Sequence, residues 1–260
     1  MPFAQLKDVR IHYALAGPAE SPVLVFSNSL GATLSMWDPQ MPALQKQFRV
    51  LRYDTRGHGQ SSVTPGPYSI ELLGRDVLAL LDELQLDRVR FCGLSMGGQT
   101  GMWLALHAPH RLDKLILSNT AAKIGTPEIW NMRIAAVRNG GMTSISSAVM
   151  ERWFSSTFRT KSPDAVAAAS RMLVSANPEG YLANCVAVRD CDVRDKVAAI
   201  QVPTLVISGT HDAATTPADG RYLAGHISTA RYVELDAAHL SNIELPERFT
   251  NETASFLVGK

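Results

Sequence analysis

Short apolar runs alternate with amphipathic stretches through the first half of the chain, the pattern that crossover connections leave in a mostly parallel sheet. Runs at 9–16, 22–27, 48–53, 89–92 and 114–118 predict strands. Between them Ile70, Leu73, Val77, Leu80, Leu81 and Leu84 recur at three- and four-residue intervals, predicting a helix over 69–84 with one apolar face. Ser69 is its predicted N-cap, because a hydroxyl there can accept an N–H of the first turn.

Beyond Asn119 the texture changes. From about 126 to 190 the spacing is helical throughout, predicting helices over 127–139, 143–155, 163–176 and 178–189. Thr126, Ser162 and Asn177 stand before prolines as predicted N-caps. The strand pattern resumes at 203–208 and 231–235, and a last helix is predicted over 246–257. The expectation is an α/β fold with a mostly parallel central sheet flanked by helices. Residues 1–120 and 191–260 form its core, and 121–190 form an inserted helical cap.

Composition narrows the function classes. Of the 260 residues 46% are apolar and 19% charged, enough to cover the core of one domain with an insertion. A net charge of +1 with scattered basic residues excludes the basic stripe of a nucleic-acid binder. No basic-then-apolar leader opens the chain, and no apolar run approaches the ~20 residues that span a bilayer, so a cytoplasmic protein without a membrane partner is predicted. Cys92, Cys185 and Cys191 lack zinc or CxxC spacing and read as small buried side chains. No cluster calls for a metal or an organic cofactor, and a homo-oligomer is left open.

The chemistry is concentrated in a few loops. Gly93-Leu94-Ser95-Met96-Gly97 matches G-x-S-x-G directly after an apolar strand and before a helical run beginning near Gln99. A serine on such a sharp turn needs neighbours without Cβ atoms, and the helix behind it offers free N–H groups to a developing oxyanion. An alcohol is a poor nucleophile near neutral pH, so Ser95 needs a base, and the base needs an orienting carboxylate. This elbow goes with the chain order serine, acid, histidine. Asp212 and His239 follow in that order, each in a loop just past a predicted strand, where ligand sites of open parallel sheets form. Asp236 lies too close to its strand end for the acid, and Asp219 enters a helix. Among the other histidines, His12, His107 and His110 read as structural, His58 as a tight-turn residue, and His211 as loop packing beside Asp212. Met96 supplies one oxyanion N–H, and Leu30, in the loop after 22–27, supplies the second.

Together, Asn28-Ser29-Leu30-Gly31, Asp54-Thr55-Arg56-Gly57-His58-Gly59, the Ser95 elbow, Gly209-Thr210-His211-Asp212 and Ala238-His239 resemble the α/β-hydrolase superfamily over essentially the whole chain. Many relatives carry histidine-glycine where this chain has Asn28-Ser29; a backbone donor at Leu30 does not depend on that pair. Within the superfamily the chain is similar to the 3-oxoadipate enol-lactonase family of the β-ketoadipate route of aromatic degradation. Ser27-Asn28-Ser29-Leu30-Gly31, Met36-Trp37-Asp38-Pro39-Gln40, Ile129-Trp130-Asn131-Met132-Arg133, Cys185-Val186-Ala187-Val188-Arg189-Asp190 and Thr216-Pro217-Ala218-Asp219-Gly220 carry that likeness. The resemblance implies an α/β-hydrolase fold, hydrolysis through an acyl-enzyme, and a small anionic lactone as substrate. Its carboxylate needs a cation in an otherwise apolar pocket. Arg133, one turn from Trp130, is the candidate, with Trp153, Arg152 and Arg138 as substitutes.

Other chemistries share the triad: a carboxylesterase, a carbon–carbon bond hydrolase or a cofactor-free haloperoxidase. A haloalkane dehalogenase is disfavoured, because its nucleophile is a carboxylate. A non-enzymatic receptor using the same cavity would show tight ligand retention without turnover.

Overall fold

The computed structural model describes residues 2–259. Eight strands form one sheet: β1 Phe3–Gln5, β2 Arg10–Ala16, β3 Val23–Ser27, β4 Arg49–Tyr53, β5 Val89–Leu94, β6 Leu112–Ser118, β7 Thr204–Gly209 and β8 Ala230–Leu235. Their spatial order is β1-β2-β4-β3-β5-β6-β7-β8. From β4 to β8 every pairing is parallel, while β2 joins β4 and β1 joins β2 in antiparallel fashion. The chain winds outward from β3 to β4, then crosses back over β3 to lay down β5. The order therefore reverses between β3 and β5, and the loops leaving these two strands part there, opening a crevice at the carboxyl ends of the strands.

The helices are α1 Met41–Leu44, α2 Ile70–Glu83, α3 Met96–His107, α4 Pro127–Gly140, α5 Ser146–Trp153, α6 Ser156–Lys161, α7 Pro163–Val174, α8 Pro178–Asp190, α9 Pro217–His226, α10 Ser241–Glu244 and α11 Pro246–Val258. In α2 the expected face is buried at Ile70, Leu73, Val77, Leu80 and Leu81, and the Ser69 hydroxyl accepts the Leu72 N–H at 3.1 Å. Leu86, Val89, Phe91 and Leu104 extend that side of the core beneath the sheet. On the opposite face, Phe26, Trp37, Cys92 and Ile116 pack in one apolar cluster with Trp130, Trp153, Leu173 and Tyr181 from the segment between β6 and β7. That segment carries α4 to α8 and no strand, and stands over the carboxyl ends of the sheet.

Several boundaries depart from the sequence reading. Strand β1 has three residues, too few to carry a period, and was not predicted. Helix α3 starts at Met96, immediately after Ser95 rather than near Gln99, because Gly97 and Gly98 are helical here despite their low propensity. The predicted helix over 143–155 is a 3-10 turn, Met142–Ile145, followed by α5, and α6 is additional. Thr126 and Asn177 cap as expected, whereas Ser162 makes no side-chain cap bond. Its ψ of 55° lies outside the extended region of an N-cap, since its own N–H closes α6 on Phe158.

Arg56 anchors the turn after β4. Its buried guanidinium uses all its donors: two to Asp76 of α2 at 2.7 and 2.6 Å, two to Asp8 at 3.0 and 3.1 Å, and one to Thr64 at 3.0 Å. The side chain of Asp76 is 9% exposed and that of Asp8 62%. Removing the buried partner strands a desolvated cation. Asp76→Ala is therefore expected to destabilise by about 3–5 kcal/mol, and Asp8→Ala by under about 1 kcal/mol. Urea denaturation of the two variants measures the contrast.

Candidate active site

Ser95 joins β5 to α3 with φ 58° and ψ −114°, a left-handed conformation that a β-substituted residue adopts only when its surroundings impose it. The surroundings here are glycines. A Cβ on Gly93 would meet the Gly97 carbonyl oxygen at 2.1 Å, and one on Gly97 would meet the Ser27 carbonyl oxygen at 2.2 Å. The Ser95 N–H donates to the Ser118 carbonyl at 3.0 Å, and the Thr120 hydroxyl donates to the Ser95 carbonyl at 2.7 Å. The elbow is thus pinned to β6 as well as to β3.

The loop after β3 is pinned to the elbow in turn. The Asn28 carbonyl accepts the Gly97 N–H at 3.0 Å, its amide donates to the Tyr53 carbonyl at 2.7 Å, and its Oδ1 accepts Trp37 Nε1–H at 2.8 Å. Asn28 is a structural strut. Leu30 follows, and among the described residues neither its N–H nor that of Met96 has a hydrogen-bond partner. Both amides border the switch-point crevice, and Met96 opens the positive end of α3.

Asp212 and His239 occupy the loops after β7 and β8. His239 Nδ1 lies 2.8 Å from Asp212 Oδ2. The carboxylate also accepts the N–H groups of Ala214 at 2.8 Å and Thr215 at 3.0 Å, the Thr215 hydroxyl at 2.8 Å and the Asn119 amide at 3.0 Å. Burial pushes this carboxyl up, but the positive side of His239, the Thr215 amide and Asn119 outweigh burial and hold it below its ordinary range. Because Asp212 takes Nδ1–H, the lone pair of His239 lies on Nε2. No hydrogen bond joins His239 to the Ser95 hydroxyl among the described residues, although both side chains line one cavity; such bonds tighten on substrate binding.

That cavity has a volume of about 170 Å³. Arg133, Arg152, Trp130 and Trp153 line it together with Leu30, Ser95 and His239. The Arg133 guanidinium lies 4.7 Å from the centre of the Trp130 ring, whose Nε1–H is fixed on the Ile124 carbonyl at 2.6 Å. Neither Arg133 nor Arg152 pairs with a carboxylate among the described residues. Burial and then the charge of Arg133 lower the Arg152 pKa, so the two arginines bring like charge together in the cavity lining. Arg138 points elsewhere, into an outer groove beside Pro65 and Leu182.

Some sequence expectations are redirected. His211 is exposed and pairs with Asp236 at 2.8 Å at the surface, rather than packing beside Asp212. His58 sits in the turn after β4 as expected, and there it is a buried acceptor. Asn119, Thr215 and Glu244 were not predicted. Glu244 accepts the Ala238 N–H at 3.1 Å and the Ser155 N–H at 3.2 Å, tying the His239 loop to the turn between α5 and α6. A lone Asn, Thr or Glu outside a motif carries no signal in one sequence.

A hydroxyl on an elbow, an imidazole oriented by a carboxylate and two free amides, one of them at a helix start, together suit acyl transfer. Residues 22–246 match the family model described as the alpha/beta hydrolase fold. The chain is 46% identical over 245 residues to 3-oxoadipate enol-lactonase 2 of Acinetobacter baylyi, covering 94% of this chain and 92% of that protein. It is 42% identical to 3-oxoadipate enol-lactonase 1 of the same organism, covering 93% and 90%. The crystal structure of the enol-lactonase from Burkholderia xenovorans LB400 superposes with a TM-score of 0.98 at 49% identity, over 99% of this chain and 100% of that one.

Replacing Asp212 by Asn keeps the shape but presents an amide N–H to His239 Nδ1, favouring the wrong tautomer. Hydrolysis of an aryl ester by Asp212→Asn is expected to show kcat lowered about 10⁴-fold with KM nearly unchanged, as steady-state kinetics would measure.

Proposed function

The chain belongs to the α/β-hydrolase family, and from that premise we propose that it hydrolyses 3-oxoadipate enol-lactone to 3-oxoadipate with Ser95 as nucleophile. One observation carries the substrate assignment: one small cavity is lined by Ser95 and His239 and by two arginines, Arg133 and Arg152, that lack carboxylate partners among the described residues. An apolar ester would leave those cations uncompensated, whereas a lactone bearing a carboxylate satisfies them. The names of the most similar relatives support the same substrate.

In this reading, His239 Nε2 takes the Ser95 proton as Oγ attacks the ring carbonyl. The carbonyl oxygen gathers negative charge between the N–H groups of Leu30 and Met96. Collapse breaks the ring C–O bond, and the imidazolium returns its proton to the departing enolate, which stays tethered as part of the acyl group. Water, deprotonated by His239, then attacks the acyl carbon and frees Ser95. The released enol ketonises to 3-oxoadipate. Asp212 stabilises the imidazolium in both halves. Arg133, backed by Trp130, holds the substrate carboxylate, and Arg152 reinforces the field.

The helices of 121–190 act as the lid that supplies this anion-binding wall, on a core made of 1–120 and 191–260. The reaction belongs in the cytoplasm, in keeping with three free buried thiols. No helix among the described residues is long and apolar enough to cross a membrane.

Purified protein is expected to abolish enol-lactone absorbance rapidly, and Ser95→Ala to leave it at the spontaneous rate. Arg133→Ala should raise KM for the lactone roughly 10- to 100-fold, the loss of one charge-assisted bond. Its effect on an uncharged aryl ester should stay within about threefold. Fast ester cleavage without lactone turnover would overturn the substrate assignment.

A further inference from the structure

The motif Arg56-Gly57-His58-Gly59 contributes no group to the mechanism above, yet it holds a fully buried imidazole beside the oxyanion loop. His58 Nε2 lies 2.8 Å from the Gly31 nitrogen and accepts its N–H. Gly31 directly follows Leu30, so this bond fixes the peptide plane next to the one whose N–H is free. An accepting Nε2 requires the neutral ring with its proton on Nδ1, on the side of the Arg56 carbonyl. Burial pushes the ring's pKa down to about 4, against the Arg56 carbonyl and the Asp54 charge, so the acceptor form prevails at working pH.

The ring itself is locked from two sides. Arg56 is held by its full set of donors, described above. Asn184 of α8 donates to the Arg56 carbonyl and to the Gly180 carbonyl, both at 2.8 Å, and its amide lies 3.3 Å from His58 Nδ1. Helix α8 can approach this closely because both contacting residues are glycine: a Cβ on Gly180 would meet the Gly57 carbonyl oxygen at 2.1 Å. The turn is therefore clamped between α2 and the helical segment that walls the cavity.

We propose that His58 is a positioning residue of the oxyanion hole, holding the Gly31 amide through Nε2 so that the Leu30 N–H points at the acyl oxygen. The inference rests on the assignment of Leu30 as an oxyanion donor. Without the acceptor, the Gly31 N–H seeks another partner and the Leu30 plane rotates. A misaimed donor of this kind weakens the transition state more than the bound substrate.

The test compares His58→Ala, His58→Gln and His58→Asn on enol-lactone and on p-nitrophenyl acetate, with active sites counted by endpoint phosphonate titration. Glutamine places an acceptor oxygen where Nε2 was, and asparagine falls short of it. His58→Ala is expected to lose roughly 10- to 100-fold in kcat per titrated site with KM within about threefold. His58→Gln should recover most of that loss and exceed His58→Asn by about tenfold. A merely structural role would instead lower the titrated fraction and leave the rate per site unchanged. That result, or equal rates for the Gln and Asn variants, would overturn the proposal, and the Gln–Asn comparison holds if the alanine variant fails to fold. Failure of the lactone assignment would appear separately, as wild-type protein active on the ester alone.

Discussion

The constraint on which the site depends is the left-handed backbone of Ser95. A hydroxyl presented to the cavity and a free amide one residue later both require the chain to reverse within a single residue between β5 and α3. That conformation is costly by about 1–3 kcal/mol, and persists because strand, helix and the β3 loop close on it through glycines too near for any Cβ. The sheet order makes this effective. Since β3 and β5 are neighbours at the reversal, the loop bearing Leu30 and the elbow bearing Ser95 leave the same point of the sheet in different directions. Two amides without hydrogen-bond partners among the described residues thus border one crevice.

Around that point the polar interior is a connected scaffold. Asp54 accepts the N–H groups of Leu34 and Gln60 and pairs with His12 at 2.6 Å. Asn119, itself at φ 43°, ties Asp212 and the Ala238 carbonyl to Ser118 and Ser241. These groups are buried, and each bond that holds a loop also satisfies a polar atom that would otherwise be stranded. The two arginines on the cavity wall are the exception. Arg152 is partly buried and the charge of Arg133 acts against its own, an arrangement that an anionic guest relieves.

Much of this was legible in the chain. Periodicity located every strand longer than three residues: β3 to β7 are largely buried and read as apolar runs, whereas β2 and β8 are only partly buried. The elbow was legible because its glycines have a steric reason to be there, and the meeting of Asp212 with His239 because both lie just past strand ends, where ligand sites of such sheets form. Asn119, Thr215 and Glu244 were not, since their roles arise only when loops far apart in sequence converge. The role of Asn28 as a strut depends on Trp37 and Tyr53, and neither contact has a sequence signature. His58 was visible as part of a turn, but its partner Gly31 lies 27 residues away. Among the candidate cations, helical spacing placed Arg133 and Trp130 on one side of α4, while the exclusion of Arg138 required the direction in which that helix faces.

The central claim is that lactone opening passes through Ser95. Labelling with a small fluorophosphonate, followed by peptide mass spectrometry and assay of the labelled protein, tests it most directly. One phosphonyl group per chain, on Ser95, is expected, with enol-lactone turnover falling in proportion to labelling. Lactone opening that persists in fully labelled protein, or a label on another residue accompanying the loss, would contradict it.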